Sequence, residues 1–213
     1  MSTRITFALP RGRPWTQLAP VLARAGVPGV AEADPEHRLV AASGDTRLIF
    51  TRPADVVTYV REGVADLGVT GKDVLLEDDE GVAELAELPL GAWRLSVAVP
   101  TAGPGWETLL ADRGDALRVA TSYPRATAAF FAGHGLSPHI IRLRGAVELA
   151  VVVGLADCIV DIVDTGGTLR AHGLVEAEVV HPVSLRLVAN IAAFRWKGRV
   201  IGDLVTRLVA SCE

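Results

Sequence analysis

Aromatic residues make up only 5% of this 213-residue chain although half of it is hydrophobic. Its core must therefore be filled mainly by Val, Leu, Ala and Ile. Cysteine is scarce: Cys158 lies in an apolar run and Cys212 near the C-terminus. Two such residues make no disulfide framework and read as packed or free thiols of a reducing compartment. The longest apolar runs, such as residues 149–156, fall far short of a membrane span. The start, Met-Ser-Thr-Arg-Ile-Thr-Phe, lacks the apolar segment of a signal peptide. These absences point to a soluble, cytoplasmic protein. The five histidines (His37, His134, His139, His172 and His181) show no metal-ligand spacing and no partner acid at short range, so no metal site is expected. No Ser/His/Asp or Cys/His arrangement stands out, which disfavours covalent catalysis. A net charge of −4 argues against bulk nucleic-acid binding, and an anionic ligand would need local arginines.

What is present is an alternation of strand-like and helix-like segments. Residues 4–9 predict a first strand, and Pro14 starts a helix that runs to Gly26. Residues 46–51 and 65–70 predict strands, with a helix over 53–62 stopped by Gly63. A second strand series, 93–100, 117–121, 138–143 and 157–163, alternates with helices over 106–112, 124–133 and 146–153. Ile201, Leu204, Val205, Leu208, Val209 and Cys212 fall on one helix face. The alternation predicts an α/β fold with mostly parallel sheets. The length allows one large domain or two small ones, and the two strand series point to two lobes.

The segment from Asp161 to Thr168 carries the most chemistry. A buried apolar run ends in two acids, Asp161 and Asp164, followed by Thr165-Gly166-Gly167-Thr168 and the start of a short helix. Glycines let backbone N–H groups close on an anion, and a helix N-terminus adds partial positive charge. The threonines add hydroxyl donors, while Asp161 or Asp164 accepts from sugar hydroxyls. That chemistry suits a ribose 5-phosphate. Arg13 and Arg52 each follow a predicted strand, at the carboxyl end where α/β ligands bind. Arginine's planar fork suits phosphate oxygens. Gly71-Lys72-Asp73 also sits between a strand and a helix, with Asp73 a good N-cap by chemistry. Glu148 stands one turn into a helix, where an acid favours the helix dipole.

The stretch Asp161–Leu174 resembles the 5-phosphoribosyl 1-diphosphate (PRPP) loop of the ATP phosphoribosyltransferase family. Leu9-Pro10-Arg11-Gly12-Arg13, Arg52 to Val60, Gly63 to Val69, Gly71 to Glu77, Gly145 to Ala150 and Gly154 to Asp157 are similar to its other signatures. The likeness runs in order from Ile5 to Asn190. It implies a two-lobed fold like type II periplasmic binding proteins, with a ligand cleft between lobes. Lobe I would comprise residues 1–90 and 184–213, including the dimerisation surface, and lobe II residues 91–183. The crossings would lie near 88–94 and 181–186.

The resemblance also implies an activity, the first step of histidine biosynthesis. PRPP would give its phosphoribosyl group to N1 of the adenine of ATP and release pyrophosphate, with Mg2+ carried by the substrates. Arg13, Arg38 and Arg52 would be the catalytic residues, set around pyrophosphate. Asp161, Asp164, Thr165, Gly166, Gly167 and Thr168 would bind PRPP, and Gly12, Gly71, Lys72, Asp73 and Glu148 would bind ATP. The length matches the family's short form, which lacks a histidine-binding C-terminal domain. That form works with a regulatory subunit resembling histidyl-tRNA synthetase, as homodimers inside a hetero-octamer.

The chain departs from the family pattern at several positions. Arg11 replaces a lysine, Ser122 another lysine, Ala146 a frequent serine and Val151 a frequent proline, while Gly167 fills a variable position. Arg125, Arg142 and Arg144 are candidates to compensate. Two other readings stay open: a non-catalytic two-lobed protein that binds a nucleotide or phosphosugar, and a phosphoribosyltransferase with another acceptor.

Overall fold

The computed structural model describes residues 4–212. Residues 1–3, read above for a leader, and residue 213 lie outside the described residues; all four belong to the lobe I assignment. The chain begins with β1 (Ile5–Pro10), α1 (Arg13–Arg24), β2 (Val40–Ser43), β3 (Thr46–Thr51) and α2 (Val56–Arg61). It continues through β4 (Leu67–Gly71), α3 (Lys72–Glu77), β5 (Val82–Pro100), α4 (Trp106–Arg113), β6 (Arg118–Thr121) and α5 (Pro124–Gly133). It ends with β7 (His139–Arg142), α6 (Leu149–Val152), β8 (Cys158–Val163), α7 (Gly167–Ala171), β9 (Leu174–Asn190) and α8 (Ile191–Ala210). Two compact units result, Met1–Gly91 with Ser184–Glu213, and Ala92–Val183. No helix among the described residues is long and apolar enough to cross a membrane.

In the first unit β1 is flanked by two parallel neighbours, β3 and β4, while β2 pairs antiparallel with β3 and the last part of β9 antiparallel with β4. β4 is buried along its whole length and β1 nearly so. They therefore read as apolar runs rather than as alternation. The register sets Pro10 opposite Thr51 and Phe7 opposite Leu67, which brings the carboxyl ends of the three parallel strands level. Helix α2 lies close on β4, where a Cβ at Gly68 would fall 2.7 Å from both Val56 and Val60. Asn190 caps α8 by accepting from Ala193 N at 2.9 Å. Its amide also donates to the Val60 carbonyl at 2.9 Å, tying the cap to the end of α2. Of the expected α8 face, Ile201, Leu204 and Leu208 are buried, whereas Val209 is exposed and Cys212 half-buried. The buried stripe is narrower than the apolar one.

In the second unit β6 lies between β7 and β8, parallel to both, and the end of β5 pairs antiparallel with β8. Ala98, Ala120, Val147, Ile159, Leu169 and Leu174 form its core. Four of these six are small or β-branched, and the buried aromatic of the unit, Phe131, packs on Trp106 and Phe130.

Three strand segments differ from the expected pattern. β9, β2 and the first half of β5 carry Pro182, a short exposed alternation, and Pro89 with Gly91 respectively. Proline removes a ladder donor and signals a break, so β5 and β9 are obscured in the sequence. The expected helix over 146–153 shrinks to α6 because Ala146 holds φ +47°, outside the helical region. The helix expected from 53 begins as a 3-10 turn, Pro53–Asp55. Gly68→Ala is expected to destabilise the protein by about 1–3 kcal/mol, the usual cost of forcing extra volume into a filled core. Denaturant unfolding monitored by circular dichroism measures it; an unchanged midpoint would show that α2 can retreat from β4 freely.

Candidate functional site

The level strand ends of the first unit collect most of the residues singled out there. Gly12 and Arg13 follow β1, with Arg13 the first residue of α1. Arg52 follows β3 directly, and Gly71-Lys72-Asp73 spans the junction of β4 and α3. Backbone and hydroxyl bonds tie these turns together. Arg11 N donates to the Thr51 carbonyl at 3.0 Å, and Thr70 Oγ1 donates to the Pro53 carbonyl at 2.9 Å. Arg38 joins them through pairing. β2 opposes Val40 to Ile49, and Phe50 N donates to the Leu39 carbonyl at 2.8 Å. Arg38 comes one residue before Leu39, its own N–H donating to the Asp34 carbonyl at 2.8 Å.

The cations at this edge differ in charge balance. Arg38 and Arg52 are exposed, and neither guanidinium makes a hydrogen bond or ion pair among the described residues. Lys72 is already matched: its Nζ donates to Glu84 Oε2 at 2.8 Å. Glu84 also accepts from Arg186 at 3.2 Å, Arg186 lies 3.1 Å from Glu87, and Ser184 donates to Glu87 at 2.6 Å. Asp73 is not the N-cap of α3. Gly71 holds that place, and the Asp73 carboxylate folds back to 2.0 Å from where a Gly71 Cβ would stand. An acid in the first turn still favours the helix dipole.

In the second unit, β6, β7 and β8 likewise send their loops from one edge of the sheet. Thr121 anchors the first, donating to the Val160 carbonyl at 2.7 Å and accepting from Tyr123 N at 2.9 Å. Ser122 donates to the Leu143 carbonyl at 3.0 Å, fastening the β6 end to the loop after β7. Ala146 in that loop has left-handed φ, a strain of about 1–2 kcal/mol for a residue with a Cβ. Glu148 sits at the N-cap position of the four-residue α6, half-buried, rather than one turn inside a helix.

The segment 161–168 divides in two. Asp161 belongs to β8, opposite Ser96, and its Oδ1 accepts from Ile162 N at 2.8 Å. The loop proper begins at Asp164. Gly166 adopts φ +72°, ψ 9° as the N-cap of α7, and Gly167 and Thr168 open that helix. Gly167 N lies 3.4 Å from Thr165 Oγ1, and the Thr168 carbonyl is 2.9 Å from His172 Nδ1. With only five residues α7 has a small dipole, so binding power must come from individual N–H and hydroxyl donors.

The structure adds three residues that sequence reasoning missed: Arg94, Ser96 and Glu176. Arg94 stands opposite Val163, the last residue of β8, and its Nη1 donates to the Asp164 carbonyl at 3.1 Å. Its Nε and Nη2 donate to both Glu176 carboxylate oxygens, and Ser96 Oγ donates to Glu176 Oε1 at 2.7 Å. The Arg94 hydrogen bonds, and secondarily the one from Ser96, hold the Glu176 carboxyl below its ordinary range, while Glu176 raises Arg94. Arg170 donates to the Thr165 carbonyl at 3.1 Å. Arg94, Glu176 and Arg170 border a pocket of about 640 Å³ together with Thr165, Gly166 and Leu169. The i, i+2 spacing of Arg94 and Ser96 on a strand was the available signal; the partner 80 residues away was not readable.

Two histidines depart from the expectation of no nearby acid. His37 Nδ1 lies 2.8 Å from Asp34 Oδ2, and His134 Nε2 lies 3.3 Å from Glu178. No group of three or more His, Cys, Asp or Glu side chains among the described residues could hold a metal ion. Cys158 and Cys212 are free; burial pushes the Cys158 thiol up to about 12, which leaves it protonated and inert.

Comparison with known proteins gives one answer. The family model described as HisG, ATP phosphoribosyltransferase, matches residues 52–210. ATP phosphoribosyltransferases of Methylococcus capsulatus and Symbiobacterium thermophilum are 43% and 45% identical to this chain, over 96% of it and 94% and 93% of their own lengths. The ATP phosphoribosyl transferase (HisG:HisZ) complex from Thermotoga maritima is similar in structure, with a TM-score of 0.79, 30% identity and 98% coverage of both chains. The alkanesulfonate-binding protein SsuA from Xanthomonas axonopodis pv. citri matches with a TM-score of 0.63 at 13% identity, over 98% of this chain and 73% of that one. The last likeness is one of fold: a two-lobed α/β architecture of the type II periplasmic-binding-protein kind.

Two outcomes are expected at the loop after β8. Gly166→Val must take a left-handed φ with its Cβ 3.1 Å from Arg170 Nη1; strain of about 1–2 kcal/mol should weaken ribose 5-phosphate binding roughly tenfold. Calorimetry checks it, and unchanged affinity would remove this loop from the site. The second concerns pH. Because the Glu176 carboxyl is depressed in the folded state, its stabilisation is complete above the ordinary value of 4.5 and is lost as pH falls through the lower folded value. Glu176→Gln should therefore flatten the acid limb of the stability–pH curve below about 4.5; an unaltered limb would show that the pair contributes nothing.

Proposed function

The chain belongs to the ATP phosphoribosyltransferase family, and on that premise we propose that it transfers the 5-phosphoribosyl group of PRPP to N1 of the adenine of ATP, releasing pyrophosphate. ATP phosphoribosyltransferases carry out the first step of histidine biosynthesis, and a cytoplasmic location goes with that role. The observation that carries the reading is the pair of unmatched cations, Arg38 and Arg52, on the carboxyl edge of the first unit. They suit a polyanionic leaving group, since their charge is committed to no carboxylate among the described residues.

The chemistry needs three things from the protein. As the bond from ribose C1 to pyrophosphate breaks, the electron pair leaves with the pyrophosphate and positive charge builds on the sugar. Arg13, Arg38 and Arg52 hold the departing oxygens through charge-assisted hydrogen bonds. Asp164, Thr165, Gly166, Gly167 and Thr168 hold the 5-phosphate and ribose hydroxyls, with Asp161 behind them at the end of β8. Gly12, Gly71, Lys72, Asp73 and Glu148 receive ATP, so that N1 meets C1 in line with the leaving group. Lys72 does so with its charge balanced by Glu84, which makes it a positioned donor rather than an unmatched charge. Mg2+ enters bound to the phosphates of the substrates and shields their charge.

A separate regulatory subunit resembling histidyl-tRNA synthetase belongs to this reading, with the chain as homodimers in a hetero-octamer. Its support is the similarity to a chain of the Thermotoga maritima HisG:HisZ complex and the match to relatives over 93% or more of their lengths. Incubation of the chain with ATP, PRPP and Mg2+, with and without that subunit, tests the activity. Pyrophosphate should appear together with the ultraviolet change of N1-substituted adenine, and release without that change would point to another acceptor. Arg52→Ala should lower kcat roughly tenfold to a thousandfold, the scale of one preorganised donor. Retained kcat would move pyrophosphate binding away from the end of β3.

A further inference from the structure

We propose that Arg94 and Arg170 are positioning residues that preset the N–H groups of the loop at Thr165 and Gly166 for the 5-phosphate, a role that rests on the phosphoribosyl reading above. Each guanidinium donates to one of two consecutive carbonyls, Arg94 to Asp164 and Arg170 to Thr165, both at 3.1 Å. In a trans peptide the next N–H points opposite to the carbonyl. Fixing the Asp164 and Thr165 carbonyls therefore turns the Thr165 and Gly166 N–H groups the other way, as a fixed pair. Neither of those N–H groups donates to any described residue. They are left for a ligand.

Arg94 is itself held. Glu176 grips its other two nitrogens, and Ser96 grips Glu176. The carboxylate also cancels the charge of Arg94, so its contribution lies in direction and not in attraction for phosphate. Its place follows from the ladder: β8 runs past the paired end of β6 at Val160, and beyond that point its register partners are residues of β5. Arg94 is the β5 residue opposite the last of them, Val163. A loop projecting this far has few backbone bonds of its own, and side chains take over the task of orienting it.

Calorimetry of the full chain with ribose 5-phosphate, and separately with ATP, tests the proposal. The variant Arg94→Met/Glu176→Gln removes the hold on Asp164 without changing net charge. It should weaken ribose 5-phosphate roughly tenfold to a hundredfold, the scale of lost hydrogen bonds to a charged group, with ATP affinity within about twofold. Glu176→Gln alone, which leaves Arg94 on the Asp164 carbonyl, should not weaken ribose 5-phosphate. Arg170→Met should repeat the double variant's loss at high salt, where a field effect would be screened. Unchanged affinity in the double variant and in Arg170→Met overturns the proposal. So does a parallel loss of ATP affinity and of thermal stability, which would mark a purely structural pair. If the double variant fails to fold, Arg170→Met, on an exposed short helix, decides alone. A parent chain that binds no ribose 5-phosphate would overturn the phosphoribosyl reading as well, whereas binding by the parent and by both variants alike overturns only this one.

Discussion

Parallel register is the constraint on which the rest depends. Hydrogen bonding of β1 to β3 and β4 forces their carboxyl ends to one level, so residues scattered from Arg13 to Asp73 arrive at one edge. The same rule acts in the second unit with a difference. Thr121, the last residue of β6, pairs with Val160, but β8 continues to Val163. That overrun of three residues carries the loop at 164–168 beyond the edge set by β6, and leaves its orientation to an antiparallel neighbour and its side chains.

Charge matching then sorts the cations into two kinds. Arg94 and Lys72 face carboxylates, Glu176 and Glu84, whereas Arg38 and Arg52 face none among the described residues. The exposed Lys72–Glu84 pair contributes on the order of 0–1 kcal/mol to stability, too little to explain it as a brace of the fold, whereas Arg94–Glu176 is half-buried. Their effect is on direction: a paired cation stays where its partner puts it, and an unpaired one is available to a polyanion. A polyanionic ligand calls for both kinds, fixed donors to read shape and uncommitted charge to stabilise negative charge on its oxygens.

Much of this was legible in the sequence because it follows from local rules. The strand at Thr46–Thr51 and the helix at Pro124–Gly133 have the bounds their patterns predict. Gly12, Gly71 and Gly166 marked the turns at the carboxyl ends of β1, β4 and β8. What stayed hidden was non-local. β5 and β9 contain Pro89 and Pro182, so their length is set by neighbours and not by propensity. Arg94 reads as one surface arginine among many until β5 is laid against β8. Asp161 lies in β8, inside the strand expected over 157–163, and its carboxylate accepts from Ile162 N.

The departures from the family pattern can now be weighed by geometry. Ser122, in place of a lysine, spends its hydroxyl on the Leu143 carbonyl, so the substitution trades a mobile charge for a tie between two loops at the same edge. At Ala146 the left-handed φ penalises any residue with a Cβ. Serine would bear the same strain as alanine, and the shape of that turn is set instead by Val147, which is 1% exposed in the core of the second unit. The change to alanine therefore removes a hydroxyl donor and leaves the backbone path intact. Arg11 keeps a positive charge beside Gly12 while its own N–H is bound to Thr51. These three departures alter what is offered to a ligand and not the framework that offers it, whereas Val151, in place of a frequent proline, packs against the core of the second unit.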